Sequence, residues 1–181
     1  MVIEAEFVEG NIVVFDKDHA RRLYASGFYG KPLGVSKPKE LSFNEPLVLD
    51  LIEALYLFDE GELTIFKDGK ELSRDELENL GKEYYAKFSE LYMVYRDLRK
   101  RGFIVTSGIK FGSDFAVYKH GPGIDHAPFI VQVKTPNDEV QATELVRAGR
   151  LATTVRKSFI IAIPEPISMK VRYLVFSWMR L

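Results

Sequence analysis

The chain has 181 residues, no cysteine, three histidines and a formal net charge of −1. The lack of cysteine excludes disulfides, thiolate metal sites and a thiol nucleophile, and so few histidines exclude a histidine-rich metal cage. With 46% hydrophobic residues the chain can bury a real core, which excludes wholesale disorder.

In chain order, Val2–Val8 and Ile12–Phe15 read as two strands around a Gly10-Asn11 turn. Asp16 or Asp18 then caps a helix to about Ser26, with Gly27 ending it. His19 falls in the first turn of that helix and takes no role. A segment rich in Gly, Pro and Lys follows, from Lys31 to Lys39. Asn44 and Pro46 predict a helix start, with Leu47, Leu51, Ala54, Leu55 and Phe58 at helical spacing and Gly61 as the stop. Leu63–Phe66 predicts a strand entering the Asp68-Gly69 turn. Ser73 and Glu76 form a capping box for a short helix, and Phe88, Leu91, Tyr92, Tyr95 and Leu98 line one face of a longer one.

Beyond Gly102 the expected order is strand (Phe103–Thr106), strand (Asp114–Tyr118), loop (Lys119–Ala127) and strand (Pro128–Val133). A helix from about Asp138 to Val155 follows, then strands Ser158–Ile163 and Val171–Trp178 around the turn PEPISMK. The fold class is therefore α/β (α+β), with a small mixed α/β N-terminal domain over residues 1–88 and a C-terminal α/β domain over 89–181.

The near-zero net charge hides an asymmetry. Residues Met1–Glu90 hold 11 Lys and Arg against 19 Asp and Glu, whereas Leu91–Leu181 hold 14 against 7. A basic half beside an acidic half suits an anionic partner that meets one domain; mutual attraction of the halves is the plainer reading. No apolar run reaches the roughly 18 residues of a membrane span, and MVIEAEFVEG has acids where a secretory leader needs bases. The expected location is the cytoplasm, with no membrane partner.

Chemistry concentrates in DFAVYKHGPGIDHAPFIVQVK. Tyr118 ends one strand, His126 precedes the next, and antiparallel pairing brings both to one rim of the sheet. Lys157 starts a later strand, which reaches the same rim if that strand is a neighbour. An imidazole, a phenol and an ammonium suffice to cut RNA without a metal. His126 protonates the 5′-oxygen leaving group, Lys157 offsets charge on the phosphate, and Tyr118 either takes the 2′-hydroxyl proton or orients that hydroxyl. A phenol is a poor base near neutral pH unless a cation such as Lys157 or Lys119 lowers its pKa. No role is assigned to His120.

The run FIVTSGIKFGSDFAVYKHGPGIDHAPFIVQV, followed by GRLATTVRKSFIIAI, resembles the catalytic domain of archaeal tRNA-splicing endonucleases. The resemblance rests on a tyrosine closing a D-F-x-V-Y strand, a histidine before Ala-Pro and a lysine in V-R-K. It implies a restriction-endonuclease-like domain with Tyr118, His126 and Lys157 as general base, general acid and transition-state stabiliser. It further implies that Arg150, in Gly149-Arg150, stacks on a bulged base. Where the family often has Ser-His-Ser, this chain has Ala152-Thr153-Thr154. The implied substrate is precursor tRNA with a bulge-helix-bulge, cut to a 2′,3′-cyclic phosphate and a 5′-hydroxyl without metal or other cofactor. The loop with Lys37 and Lys39 looks like one that touches RNA in catalytic subunits. Family members of this length form homo-oligomers or heterotetramers with a structural paralogue, in which acids on a late loop dock into a neighbour. PEPISMK occupies that place with Glu165 as its only acid.

Two other readings compete. Asp114 or Asp125 with Gln132-Val133-Lys134 would suit a metal-dependent restriction-type nuclease, although glutamine is a weak ligand for a hard cation. The chain could also be a non-catalytic RNA-binding or assembly subunit of the same complex.

Overall fold

The computed structural model describes residues 2–35, 42–154 and 157–176, with residues 151–154 as backbone alone. A hairpin of β1 (Ile3–Val8) and β2 (Asn11–Val14) opens the chain, followed by α1 (Lys17–Gly27), β3 (Lys31–Pro32), β4 (Leu47–Leu49) and α2 (Leu51–Asp59). Next come β5 (Leu63–Lys67), β6 (Lys70–Glu71), α3 (Arg74–Tyr84) and α4 (Phe88–Lys100). The remainder is β7 (Ile104–Ser107), β8 (Phe115–Tyr118), β9 (Phe129–Val133), α5 (Ala142–Thr154), β10 (Ser158–Glu165) and β11 (Lys170–Phe176). The chain divides into two units, Met1–Tyr92 and Met93–Leu181, with the division inside α4. Among the described residues no helix is long and apolar enough to cross a membrane.

The first unit is built on one sheet in the order β3-β4-β2-β1-β5-β6. Two expectations for it change. The helix expected from Asn44-Pro46 starts at Leu51, because Asp50 supplies the stronger cap. Its Oδ1 accepts the N–H groups of Ile52 and Glu53 at 2.9 and 2.8 Å, and Glu53 reaches back to the Asp50 N–H. Leu47–Leu49 are thereby released to pair with β2, burying Leu47 and Leu49. Gly27 lies inside α1 rather than beyond it, and Phe28 takes the left-handed position at φ 54°. The glycine serves packing instead, since an added Cβ would meet the Tyr29 ring at 2.6 Å.

The second unit is a sheet in the order β11-β10-β9-β8-β7. Strands β7, β8 and β9 pair antiparallel, β9 and β10 pair parallel through the α5 crossover, and β10 and β11 form a hairpin. On one face Ala116, Ile130, Phe159 and Ile161 pack with Ala148 of α5. On the other, Tyr95 of α4 meets Phe115 of β8 at 5.9 Å between ring centroids. Buried Arg99 donates to the Tyr95 hydroxyl at 2.9 Å and to the Val105 carbonyl at 3.1 Å. A sheet covered on both faces leaves its rims as the places where polar side chains emerge.

Close packing in the first unit gives a direct test. A Cβ at Gly81 would lie 2.3 Å from the Phe88 ring, so Gly81→Ala overpacks the α3–α4 junction. Denaturant titration should show a loss of about 1–3 kcal/mol, with most of it recovered when Phe88→Leu is added.

Candidate active site

One rim of the second sheet collects all three sequence-derived residues. Tyr118 is the last residue of β8, opposite Ile104 of β7, and His126 lies just before β9. The antiparallel register Val117↔Phe129 returns the connecting loop to that rim. Lys157 immediately precedes β10, whose register Ser158↔Phe129 places it beside the entry to β9. The Ser158 N–H donates to the Pro128 carbonyl at 2.8 Å, starting the parallel ladder there. The neighbouring Lys157 ammonium donates to the Ala127 carbonyl at 2.6 Å, one residue from His126. The lysine therefore points toward the histidine's loop. Its Nζ also lies 5.0 Å from the centroid of the Phe111 ring.

The loop between Tyr118 and His126 is held by its own acid. Asp125 Oδ2 accepts the backbone N–H groups of Lys119 and His120 at 3.0 and 3.3 Å, and Oδ1 accepts that of Gly121 at 2.7 Å. Burial opposes the charge of this carboxylate, yet the three N–H donors outweigh it and hold its pKa below the usual value. His126 is left exposed next to this staple, with Ala127 buried behind it. The backbone positions of Lys119 and His120 are thus fixed by Asp125. In the sequence Asp125 stands out only as a possible metal ligand; an acid closing a Gly-Pro-Gly turn is the signal for its structural part.

Electrostatics at the rim bear on two of the three groups. The Tyr118 phenol is pushed up, chiefly by burial against the core and further by the Asp125 charge, with a hydrogen bond from Thr106 opposing. Among the described residues no cation lowers it, which favours the neutral phenol near neutral pH. Lys157 is pushed down, first by burial and then by repulsion from Lys110.

The other expected residues divide as follows. Arg150 is exposed on α5, seven residues before Lys157. Lys37 and Lys39 lie outside the described residues. The residues of the metal-nuclease reading are committed elsewhere. Asp114 accepts from Gln132 Nε2 at 2.9 Å and from the Val133 N–H at 2.7 Å, and Lys134 pairs with Glu144 at 2.9 Å. That group sits where β8 begins and β9 ends, the rim opposite Asp125. Among the described residues no three Asp, Glu or His side chains gather as metal ligands would.

With this geometry established, comparison with known proteins places the chain. Residues 3–78 match the N-terminal domain of tRNA intron endonucleases, and residues 88–173 match their catalytic C-terminal domain. The chain belongs to the tRNA intron endonuclease family. It is 48% identical to a tRNA-splicing endonuclease of Hyperthermus butylicus, over 98% of this chain and 98% of the relative. It is 41% identical to one from Sulfurisphaera tokodaii, over 97% and 98%. A third, from Pyrobaculum aerophilum, is 44% identical over 94% and 95%. The rim that gathers Tyr118, His126 and Lys157 lies within the stretch matched to the family's catalytic domain.

The Asp125 staple predicts a rate effect separable from folding. Asp125→Ala frees three N–H groups and lets the His126 loop drift, so RNA cleavage should slow roughly 10- to 100-fold while the melting temperature changes little. Asp125→Asn, which keeps an acceptor, should fall between the two. Single-turnover cleavage paired with thermal denaturation reads both.

Proposed function

We propose that this chain is the catalytic subunit of an endonuclease that cuts precursor tRNA at intron boundaries, in a bulge-helix-bulge, through Tyr118, His126 and Lys157. The observation that carries this reading is the Lys157–Ala127 contact, which sets an ammonium beside the His126 loop at the rim where Tyr118 also emerges. Family membership supports the substrate class.

In the proposed reaction the 2′-oxygen attacks the adjacent phosphorus as the 5′-oxygen leaves. His126 gives its proton to that 5′-oxygen. Tyr118, as phenolate, accepts the 2′-hydroxyl proton, and Lys157 offsets the charge gathered on the phosphate oxygens. A 2′,3′-cyclic phosphate and a 5′-hydroxyl result, and no step requires a metal ion. Arg150 stacks on a splayed base, and the segment with Lys37 and Lys39 contacts the RNA backbone. Excising an intron takes two cuts, so at least two catalytic chains act together, as a homo-oligomer or with a structural paralogue. β11 is the edge strand of its sheet with Leu174 and Val175 exposed on opposite faces, so an edge contact there would bury apolar side chains on assembly. Glu165, the acid of the PEPISMK turn, is engaged within its own hairpin by Arg172 at 2.7 Å and Ser168 at 3.0 Å.

His126→Ala should reduce cleavage by roughly 10²–10⁴ while leaving RNA affinity nearly unchanged. Cleavage should persist in excess EDTA; loss on chelation that magnesium restores would overturn the metal-independent reaction. Unchanged cleavage by His126→Ala would sink the assignment itself.

The pH profile distinguishes the two roles open to Tyr118. A base that must be deprotonated and an acid that must be protonated make opposite demands. The product of the two fractions stays constant between their titrations. With Tyr118 pushed up by burial, base catalysis predicts a flat cleavage rate from neutral pH to beyond about pH 9. A rate that falls steadily from neutral pH upward would instead assign Tyr118 to orienting the hydroxyl.

A further inference from the structure

The reaction just described leaves one concentration of charge unused. Lys110 sits in the short 3₁₀ turn Ile109–Phe111, exposed, and has no carboxylate partner among the described residues. Its neighbour Phe111 packs against the second unit's core and lies within 5.0 Å of the Lys157 ammonium. The turn thereby carries Lys110 close enough to Lys157 for their repulsion to be felt.

From α5, Arg147 closes the same loop. Its guanidinium rests against Gly112, where an added Cβ would stand 3.1 Å from Nη1. Gly112 also holds φ +66°, so conformation and space both require glycine there. The acid nearest Arg147 along the helix is Glu144, which takes the Lys134 ammonium directly at 2.9 Å and feels Arg147 only as a weaker charge. Arg150 lies three residues after Arg147, and side chains at that spacing are neighbours on a helix surface. Lys110 and Lys157 repel one another, and an anion entering beside them relieves that repulsion.

We propose that Lys110 and Arg147 form a second phosphate-binding position beside Lys157, which takes an RNA backbone phosphate next to the scissile one. The inference rests on the endonuclease reading above and adds a register-setting contact to it. Phosphate contacts of this kind fix how the strand lies without reading its sequence. The location at the Lys157 rim favours RNA over an acidic segment of a second copy, whose Glu165 is held within its hairpin.

The test uses the full-length protein and a bulge-helix-bulge RNA with 2′-deoxy nucleotides at the splice sites, which binds but is not cut. Affinity is measured between about 50 and 200 mM salt for wild type, Lys110→Ala, Lys110→Arg and Arg147→Ala. Each lost phosphate contact should lower the slope of log affinity against log salt by about 0.7–0.9, so the alanine variants lose roughly three-fold less affinity than wild type across that range. Lys110→Arg should restore the slope. Alanine variants with the wild-type slope overturn the proposal, as does a changed oligomeric mass with an unchanged slope. A wild-type protein that binds this RNA without salt dependence sinks the endonuclease reading instead, which keeps the two failures distinct.

Discussion

The parallel pairing of β10 with β9 is the constraint on which the candidate site depends. Tyr118 and His126 flank one loop and would meet at a common rim in almost any antiparallel arrangement. Lys157 comes 31 residues after His126 and reaches them only because β10 docks on β9 in the register Ser158↔Phe129. The Ser158 N–H to Pro128 carbonyl bond starts that ladder, and the Lys157 bond to the Ala127 carbonyl extends its direction by one side chain. Ala148 of α5 packs with Ile130 and Phe159 and so ties the crossover helix to both strands. A slip of one residue would turn Lys157 to the other face of the sheet.

Burial shapes the chemistry as much as geometry does. The Tyr118 ring packs on the same cluster that holds α5, and this desolvation keeps the phenol protonated. Lys157 is affected in the opposite sense, since both burial and the neighbouring Lys110 disfavour its charged form. Burial thus works against the charged form of both groups. A phosphate entering beside Lys157 acts in the other direction and favours its ammonium. Preorganised charge of this kind acts without reorganisation when the reaction occurs.

The two units carry opposite charge, as counted from the sequence, and the excess of basic residues falls in the unit with the candidate site. In the first unit the buried Glu53 carboxylate caps α2 and also accepts the Gly30 N–H at 3.2 Å. It thereby fixes the backbone just before the Lys31–Lys39 segment.

Local signals determined much of this protein from its sequence. The short, largely apolar runs Phe115–Tyr118 and Phe129–Val133 and the Ser73–Glu76 capping box depend on residues a few positions apart, so local composition and cap chemistry reveal them. Where two local signals competed, the sequence chose wrongly. The start read at Asn44-Pro46 gives way to Asp50, whose capping box with Glu53 is the stronger and agrees with the pairing of Leu47–Leu49 with β2. The chemical character of Tyr118, His126 and Lys157 was likewise legible, because each residue type carries its own acidity. The sequence could not supply the neighbourhoods: the Ala127 carbonyl and Phe111 ring around Lys157, the three N–H groups on Asp125, and the burial that raises Tyr118. Most of these contacts join residues far apart in the chain. They exist only once strand order and register are set, because desolvation and charge proximity belong to the folded arrangement rather than to any one residue.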